Sequence, residues 1–375
     1  MGAGGNNAGL IAVVASLLVQ AGCTGAQPAS DAGSVGDAGA PDAGGNPLPP
    51  GQSFAVANYP NGIAVTPEAI YVVAGARHEG PNSLPVAAGL RSSVQVFSHG
   101  GVLQRDIPVA AGGHSARLSP DGNRLYVAHY SLDHAVTVIS TQSNTVEAVV
   151  GGAGQFSILV PDALVVSPDG QYVYVASNGP GNAGWVNRIS TSTNTVDTWR
   201  VDITGGYVCW VELSVDGATL YVNSWTGGTV HRVDAATAQV THTAAVGQFP
   251  HATVPDAQGQ YVYALASGEN VVKRLDALDL GGAVVLPGPH QGVWGGPVAA
   301  IRSHTGNHLF VTNYATSNVT VLDIGAQSAT RDTVVHTAAV EASPVFLALS
   351  PDGSRLYVAN NAASTVTVVD TSNFR

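Results

Sequence analysis

A glycine-bearing turn returns along this chain at Gly122, Gly170, Gly217, Gly259, Gly306 and Gly353, at intervals of 48, 47, 42, 47 and 47 residues. Three copies read Ser-Pro-Asp-Gly, at 119–122, 167–170 and 350–353. Proline presets the first corner of such a turn, and glycine supplies the positive φ at its end. An aromatic-led strand follows each turn, as at 125–128, 172–175, 220–223, 261–264, 310–313 and 356–360. A third alternating strand comes next (135–139, 365–369), and a fourth after a polar turn (145–149). Four antiparallel strands in each of several repeats of 42 to 48 residues make the blades of a propeller. A degenerate first copy begins at Pro60, shortens its turn to Thr66-Pro67-Glu68-Ala69 and carries an insertion at about 77–90. The count is then seven.

The last repeat ends after its third strand, whereas residues 54–60 resemble the fourth-strand exit at 243–250 and precede any first strand. This orphan strand predicts the closure. The chain is expected to be all-β, a seven-bladed β-propeller over 51–375 with four antiparallel strands per blade, its last blade closed by an N-terminal strand that leaves no open edge.

Composition sets limits on partners. The net charge is −11, charged residues are 10% of the chain, and no run of Lys or Arg occurs. Nucleic acid and polybasic docking to a membrane are therefore excluded as expectations. Residues 10–19 are an apolar run too short to span a bilayer and suited to a signal peptide. Gln20-Ala21-Gly22-Cys23 resembles the lipobox of bacterial lipoproteins, although Gln20 stands where an apolar residue is usual and no Lys or Arg precedes the apolar run. The resemblance implies a signal peptide over 1–22, lipidation at Cys23, and attachment to the outer membrane or cell surface of a bacterium. A periplasmic or secreted fate is the alternative. The following segment to residue 50 repeats Asp-Ala-Gly and is rich in Pro, so it has almost nothing to bury and reads as a disordered tether. The second cysteine, Cys209, would then be a free thiol.

In a propeller the loop entering each innermost strand and the loop after each second strand emerge together around the channel mouth. Eight residues before each turn glycine stand His114, Asp162, Cys209, His251, Val298 and Val345, with Asn61 in the first blade. His129, Asn178, Asn313 and Asn360 follow second strands and are expected on the same rim. Imidazole, carboxylate and thiolate suit a divalent transition metal, which makes His114, Asp162, Cys209 and His251 a candidate metal set. The same residues with Asn61 and His129 are equally a polar pocket for a small ligand, or ordinary loop-entry residues. Trp185, Trp210, Trp225 and Trp294 fall near strand starts or upper loops, where exposed rings would stack on sugars or aromatic ligands.

Phe310-Val311-Thr312-Asn313 and its counterparts resemble the YVTN family of propeller repeats over about residues 52–375. The resemblance implies the fold. Its relatives include surface-layer and adhesion proteins, lactonase-like enzymes, and domains holding haem or metal over the channel. The acidic and Arg/His sites of lactonase-like propellers match no particular positions here. Gly179-Pro180-Gly181-Asn182-Ala183-Gly184 fits G-x-G-x-x-G, but no helix follows, so it is not a dinucleotide fingerprint. Gly113-His114-Ser115-Ala116-Arg117 lacks the final glycine of a hydrolase elbow. The expected role is a binding or interaction module that presents its mouth loops to a protein, glycan or small molecule, as a monomer. The alternative is a lactonase-like or metal-dependent enzyme at the mouth.

Overall fold

The computed structural model describes residues 46–57, 59–75, 92–131, 133–151, 158–289, 292 and 294–375. The leader, Cys23, most of the tether and the insertion at 77–90 lie outside the described residues. Among the described residues no helix is long and apolar enough to cross a membrane.

Seven four-stranded antiparallel sheets form the seven blades. In the second blade the strands run Gly113–Leu118, Arg124–His129, Ala135–Ser140 and Thr145–Gly151, from the channel outward. The last sheet is built from both ends of the propeller. Ser53–Ala55 pairs antiparallel with Thr365–Asp370, in the register Ser53↔Thr367, Phe54↔Val366 and Ala55↔Thr365. Phe54 is buried and packs on Phe97 of the first blade, with ring centroids 4.8 Å apart. The closing strand thus fills its own sheet and also touches the next.

Each turn between first and second strands is fixed by its own side chains. In the second blade Ser119 Oγ donates to Asp121 Oδ1, which also accepts from the Asn123 amide at 3.1 Å. Gly122 sits at φ 72° and donates its N–H to the Ser119 carbonyl at 2.8 Å. The same Ser-x-Asp-Gly bonding recurs at Ser167, Ser214 and Ser350. Where glycine is missing, in the first blade, the Thr66 hydroxyl accepts the Ala69 amide at 3.0 Å instead.

Both faces of each sheet lie against neighbouring blades, so the second strands are apolar on both faces rather than alternating with polar residues. Leu125, Tyr126, Val127 and Ala128 are all essentially inaccessible, while the outer strand Thr145–Gly151 is largely exposed. In four blades the second-strand tyrosine crosses to the following blade. Tyr71 donates to the Thr141 carbonyl at 3.1 Å, Tyr221 to the Ala277 carbonyl at 3.1 Å, and Tyr263 to Asp332 at 3.1 Å. Tyr357 meets His99 Nδ1 at 3.0 Å, across the boundary between the seventh and first blades. A ring of this size contributes about 1.5–3 kcal/mol by burial, and its hydroxyl must find a partner when buried. The repeated aromatic therefore pins blade to blade.

Candidate functional site at the channel mouth

Six of the seven innermost strands carry a β-bulge at their entrance. The register slips between Pro60 and Ile63, Gly113 and Ala116, Val208 and Trp210, Pro250 and Ala252, Pro297 and Ala299, and Pro344 and Phe346. A bulged residue has no ladder partner and its side chain is re-aimed. Asn61, His114, Cys209, His251, Val298 and Val345 all sit in these bulges. That is why residues at this position depart from the blade-to-blade alternation of the rest of the strand. In the third blade the first strand starts later, at Leu164, and Asp162 lies just before it.

The bulge that carries His114 and the late start of the third blade's first strand bring His114 and Asp162 together. His114 Nδ1 stands 2.9 Å from Asp162 Oδ1 and 3.0 Å from the Asp162 carbonyl. Tyr207 donates its hydroxyl to Asp162 Oδ2 at 3.0 Å, and Tyr130 in turn is hydrogen-bonded to Tyr207. With Nδ1 engaged by the carboxylate, His114 turns Nε2 away from Asp162, and its side chain keeps 28% of its surface open. Burial disfavours charge on His114, but the Asp162 carboxylate and its hydrogen bonds outweigh this and raise the pKa above the ordinary value. His251 has burial without a carboxylate contact, and its pKa falls to about 4. Its Nε2 faces the indole N–H of Trp225 at 3.4 Å. Burial also pushes the Tyr207 hydroxyl up, reinforced by the charge on Asp162.

Aromatic rings surround this pair. Tyr130 and Phe346 lie 5.9 and 5.6 Å from the His114 ring, Tyr130 and Tyr207 are 6.2 Å apart, and Tyr207 and Trp225 are 6.4 Å apart. Trp225 stacks on Phe249 at 4.4 Å. Below, Phe346 of the seventh blade stacks on Trp210 of the fourth at 6.3 Å, which puts an aromatic floor across the bore. Beneath the floor Arg117 lies 5.3 Å from the Trp210 ring and 4.0 Å from Glu212. Burial raises the Glu212 carboxyl against the pull of Arg117 and Arg302.

The four-residue metal set does not assemble. Among the described residues no group of three or more His, Cys, Asp or Glu is placed to hold a metal ion. Cys209 is buried, its thiol points at the Pro250 carbonyl at 2.9 Å, and burial raises its pKa well above normal, which keeps it a thiol and not a thiolate ligand. Asn61 is a clamp between blades: it donates to the Gly113 carbonyl at 3.2 Å and accepts from Asn361 at 2.9 Å. His129 is not on the rim. It is fully buried and bonds Thr137 on the third strand of its own sheet at 2.8 Å. Asn313 and Asn360 do the same with Thr320 and Thr367, and Asn178 holds the backbone of Val208. In the second blade the next residue, Tyr130, is the one that reaches the mouth, as its equivalent Trp225 does in the fourth.

None of the five tryptophans offers an open stacking face, since all are at most 9% exposed. The residues missed by spacing are the aromatics Tyr130, Tyr207, Phe249 and Phe346. Tyr207 and Phe249 precede the entry position by two residues, a signal visible only once the bulge is known. Two surface hollows lie away from the mouth. One of about 500 Å³ is lined by Asp121, Arg124, Glu147 and Asp169 around the turns at the opposite end of the strands. The other, of about 340 Å³, is lined by His308, Asp323 and Ser328. Their acids are already held by turn hydroxyls or by Arg124, so the mouth carries the better chemistry.

An NMR pH titration of the ring protons should show His114 titrating above the ordinary histidine value and His251 near pH 4. Asp162→Asn should carry His114 below the ordinary value, because burial remains when the carboxylate is gone. The raised pKa also has a stability consequence: the His114–Asp162 pair contributes fully below the unfolded histidine pKa and is lost as pH rises through the folded one. Identical His114 titration in wild type and Asp162→Asn would contradict the pairing.

The architecture and the comparisons agree on the fold. The hydrazine synthase of Kuenenia stuttgartiensis superposes with a TM-score of 0.69 at 20% identity, over 85% of this chain and 97% of that one. A chain from the crystal structure of a mitotic checkpoint complex superposes with a TM-score of 0.64 at 14% identity, over 92% and 98%. No curated protein matches the sequence. The model of a family described as "Lactonase, 7-bladed beta-propeller" matches residues 284–373, which span the end of the fifth blade and the sixth and seventh. The chain is thus a seven-bladed propeller whose closing blades are similar to that lactonase family.

Proposed function

We propose that this chain is a binding module of the bacterial cell envelope, receiving a small polar ligand at the channel mouth. The observation that supports this most is the His114–Asp162–Tyr207 network, a few convergent polar groups set among aromatic rings above the stacked Phe346–Trp210 pair. Binding sites favour that combination. With the Phe346–Trp210 pair beneath it, this end of the bore would act as a cup that holds a ligand at one end. The lipobox-like Gln20-Ala21-Gly22-Cys23 and the Asp-Ala-Gly tether support anchoring through Cys23 with the propeller held clear of the membrane. A glycan or protein would dock by its projecting group at the same cup.

A second reading is a lactonase-like hydrolase. It is favoured by the family match over the closing blades and by the orientation of His114. A carboxylate on Nδ1 leaves Nε2 as the proton acceptor, the arrangement by which a histidine activates water. His114 would then be the base and Asp162 its positioning partner.

Ligand-observed NMR of the detergent-solubilised chain against a panel of sugars, amines and lactones tests the site. Binding should be lost in His114→Ala and kept in Arg124→Ala, which alters the hollow at the far end. Equal binding by both variants would contradict a mouth site. The hydrolase reading requires lactone turnover in a pH-stat that falls by at least about 100-fold in His114→Ala, and absence of turnover removes it. For the anchor, Cys23→Ser should move the exported chain from the membrane pellet to the soluble fraction; retention in the pellet would contradict lipidation.

A further inference from the structure

Resting on the mouth reading above, we infer that the ligand class taken by the cup is an organic cation, a quaternary or tertiary ammonium. The carboxylate of Asp162 is nearly enclosed, with 10% of its side-chain surface open, and its partners are His114 Nδ1 and the Tyr207 hydroxyl. None of the ion pairs of the described Arg and Lys residues reaches it. When His114 is neutral, a carboxylate whose described partners are an imidazole and a phenol keeps a negative field in a poorly screened cup.

The rings around it carry the second half of the argument. Tyr130 and Tyr207 are each only partly buried and are the rings beside the carboxylate with open surface, while Phe346 and Trp225 are covered and back them. Aromatic faces attract cations, and alkylated ammonium groups are the ligands for which enclosed rings are best suited. Tyr207 donates its hydroxyl proton toward a carboxylate, which enriches its ring further. A sugar would instead ask for an open tryptophan face, and all five tryptophans are covered. An anion would meet Asp162 without a guanidinium to receive it, since Arg117 lies under the Trp210 floor.

Among the described residues, the turns on the mouth side carry Asp133, Glu269 and Glu341. Lys273 reaches Glu269 at 3.8 Å, and Arg200 is held by Asp202 at 2.5 Å. Among the described turns of this face the fixed charges are acidic, with Glu269 shared with Lys273, a sign that favours cations.

Isothermal titration of the detergent-solubilised full chain at pH 8 with choline, and with its uncharged carbon analogue 3,3-dimethylbutan-1-ol, tests the inference. Choline should bind at least about tenfold more tightly than the analogue. Asp162→Asn should abolish that preference, and Tyr130→Ala should weaken choline by at least about threefold. Far-UV circular dichroism and a melt on each variant separate misfolding from lost recognition. If Asp162→Asn fails to fold, Tyr207→Phe removes the hydroxyl bond while keeping the ring, and it should retain choline. Equal affinity for both probes overturns the cation. So does failure of choline beside a neutral ligand whose binding requires His114, an outcome that leaves the mouth site standing. Failure of every probe overturns both readings.

Discussion

Three residues near the start of the propeller, Ser53–Ala55, hydrogen-bond to Thr365–Asp370 at its end, and on that pairing the rest of the structure depends. A ring of blades has no terminal blade with a bare apolar face only if it closes. Here closure is made by backbone bonds inside one sheet, supplemented by Ser53 Oγ against Thr367 Oγ1 at 2.9 Å and by Phe54 against Phe97. The His99–Tyr357 bond crosses the same boundary. Once the ring is closed, every second strand has a neighbour on both faces. Its Leu-Tyr-Val-Ala pattern can then be apolar throughout without exposing a hydrophobic surface.

Closure also sets the mouth. Phe346 touches His114 and Trp210, residues from three different blades and well over one hundred positions away in sequence. Asp162 meets His114 and Tyr207 only because the third blade stands between the second and fourth. An open array of the same blades would keep each blade's local turn bonds and lose the floor of the cup, for which blades four and seven must face each other.

The fold was legible in the sequence because its determinants are local. Turn chemistry at Gly122 or Gly353, and the aromatic three residues before Asn313 or its equivalents at the strand ends, repeat at a spacing that survives in a single chain. The orphan strand was legible because one end of the propeller had a strand too many and the other a strand too few. The site was legible only in part. Counting back from the turn glycine put His114 and Asp162 on one arc of blade entries, and in the structure the two side chains meet. It could not show that Cys209 spends its thiol on the Pro250 carbonyl, or that His251 faces Trp225, because those contacts depend on the next blade. His129 was misplaced by one residue: a strand's side chains alternate, so the last residue of the second strand turns into its sheet and Tyr130 turns out. The aromatic arc was invisible, since rings drawn from blades two, four, five and seven share no sequence pattern.

Ring closure in this register is tested most directly by a cross-link. A Ser53→Cys, Thr367→Cys variant, with the buried Cys209 left in place, should form an intramolecular disulfide under mild oxidation. Its melting temperature should then rise by several degrees relative to the reduced form, as expected for a tie that closes so long a loop. A pair that stays reduced, or links only between molecules, would contradict the closed ring.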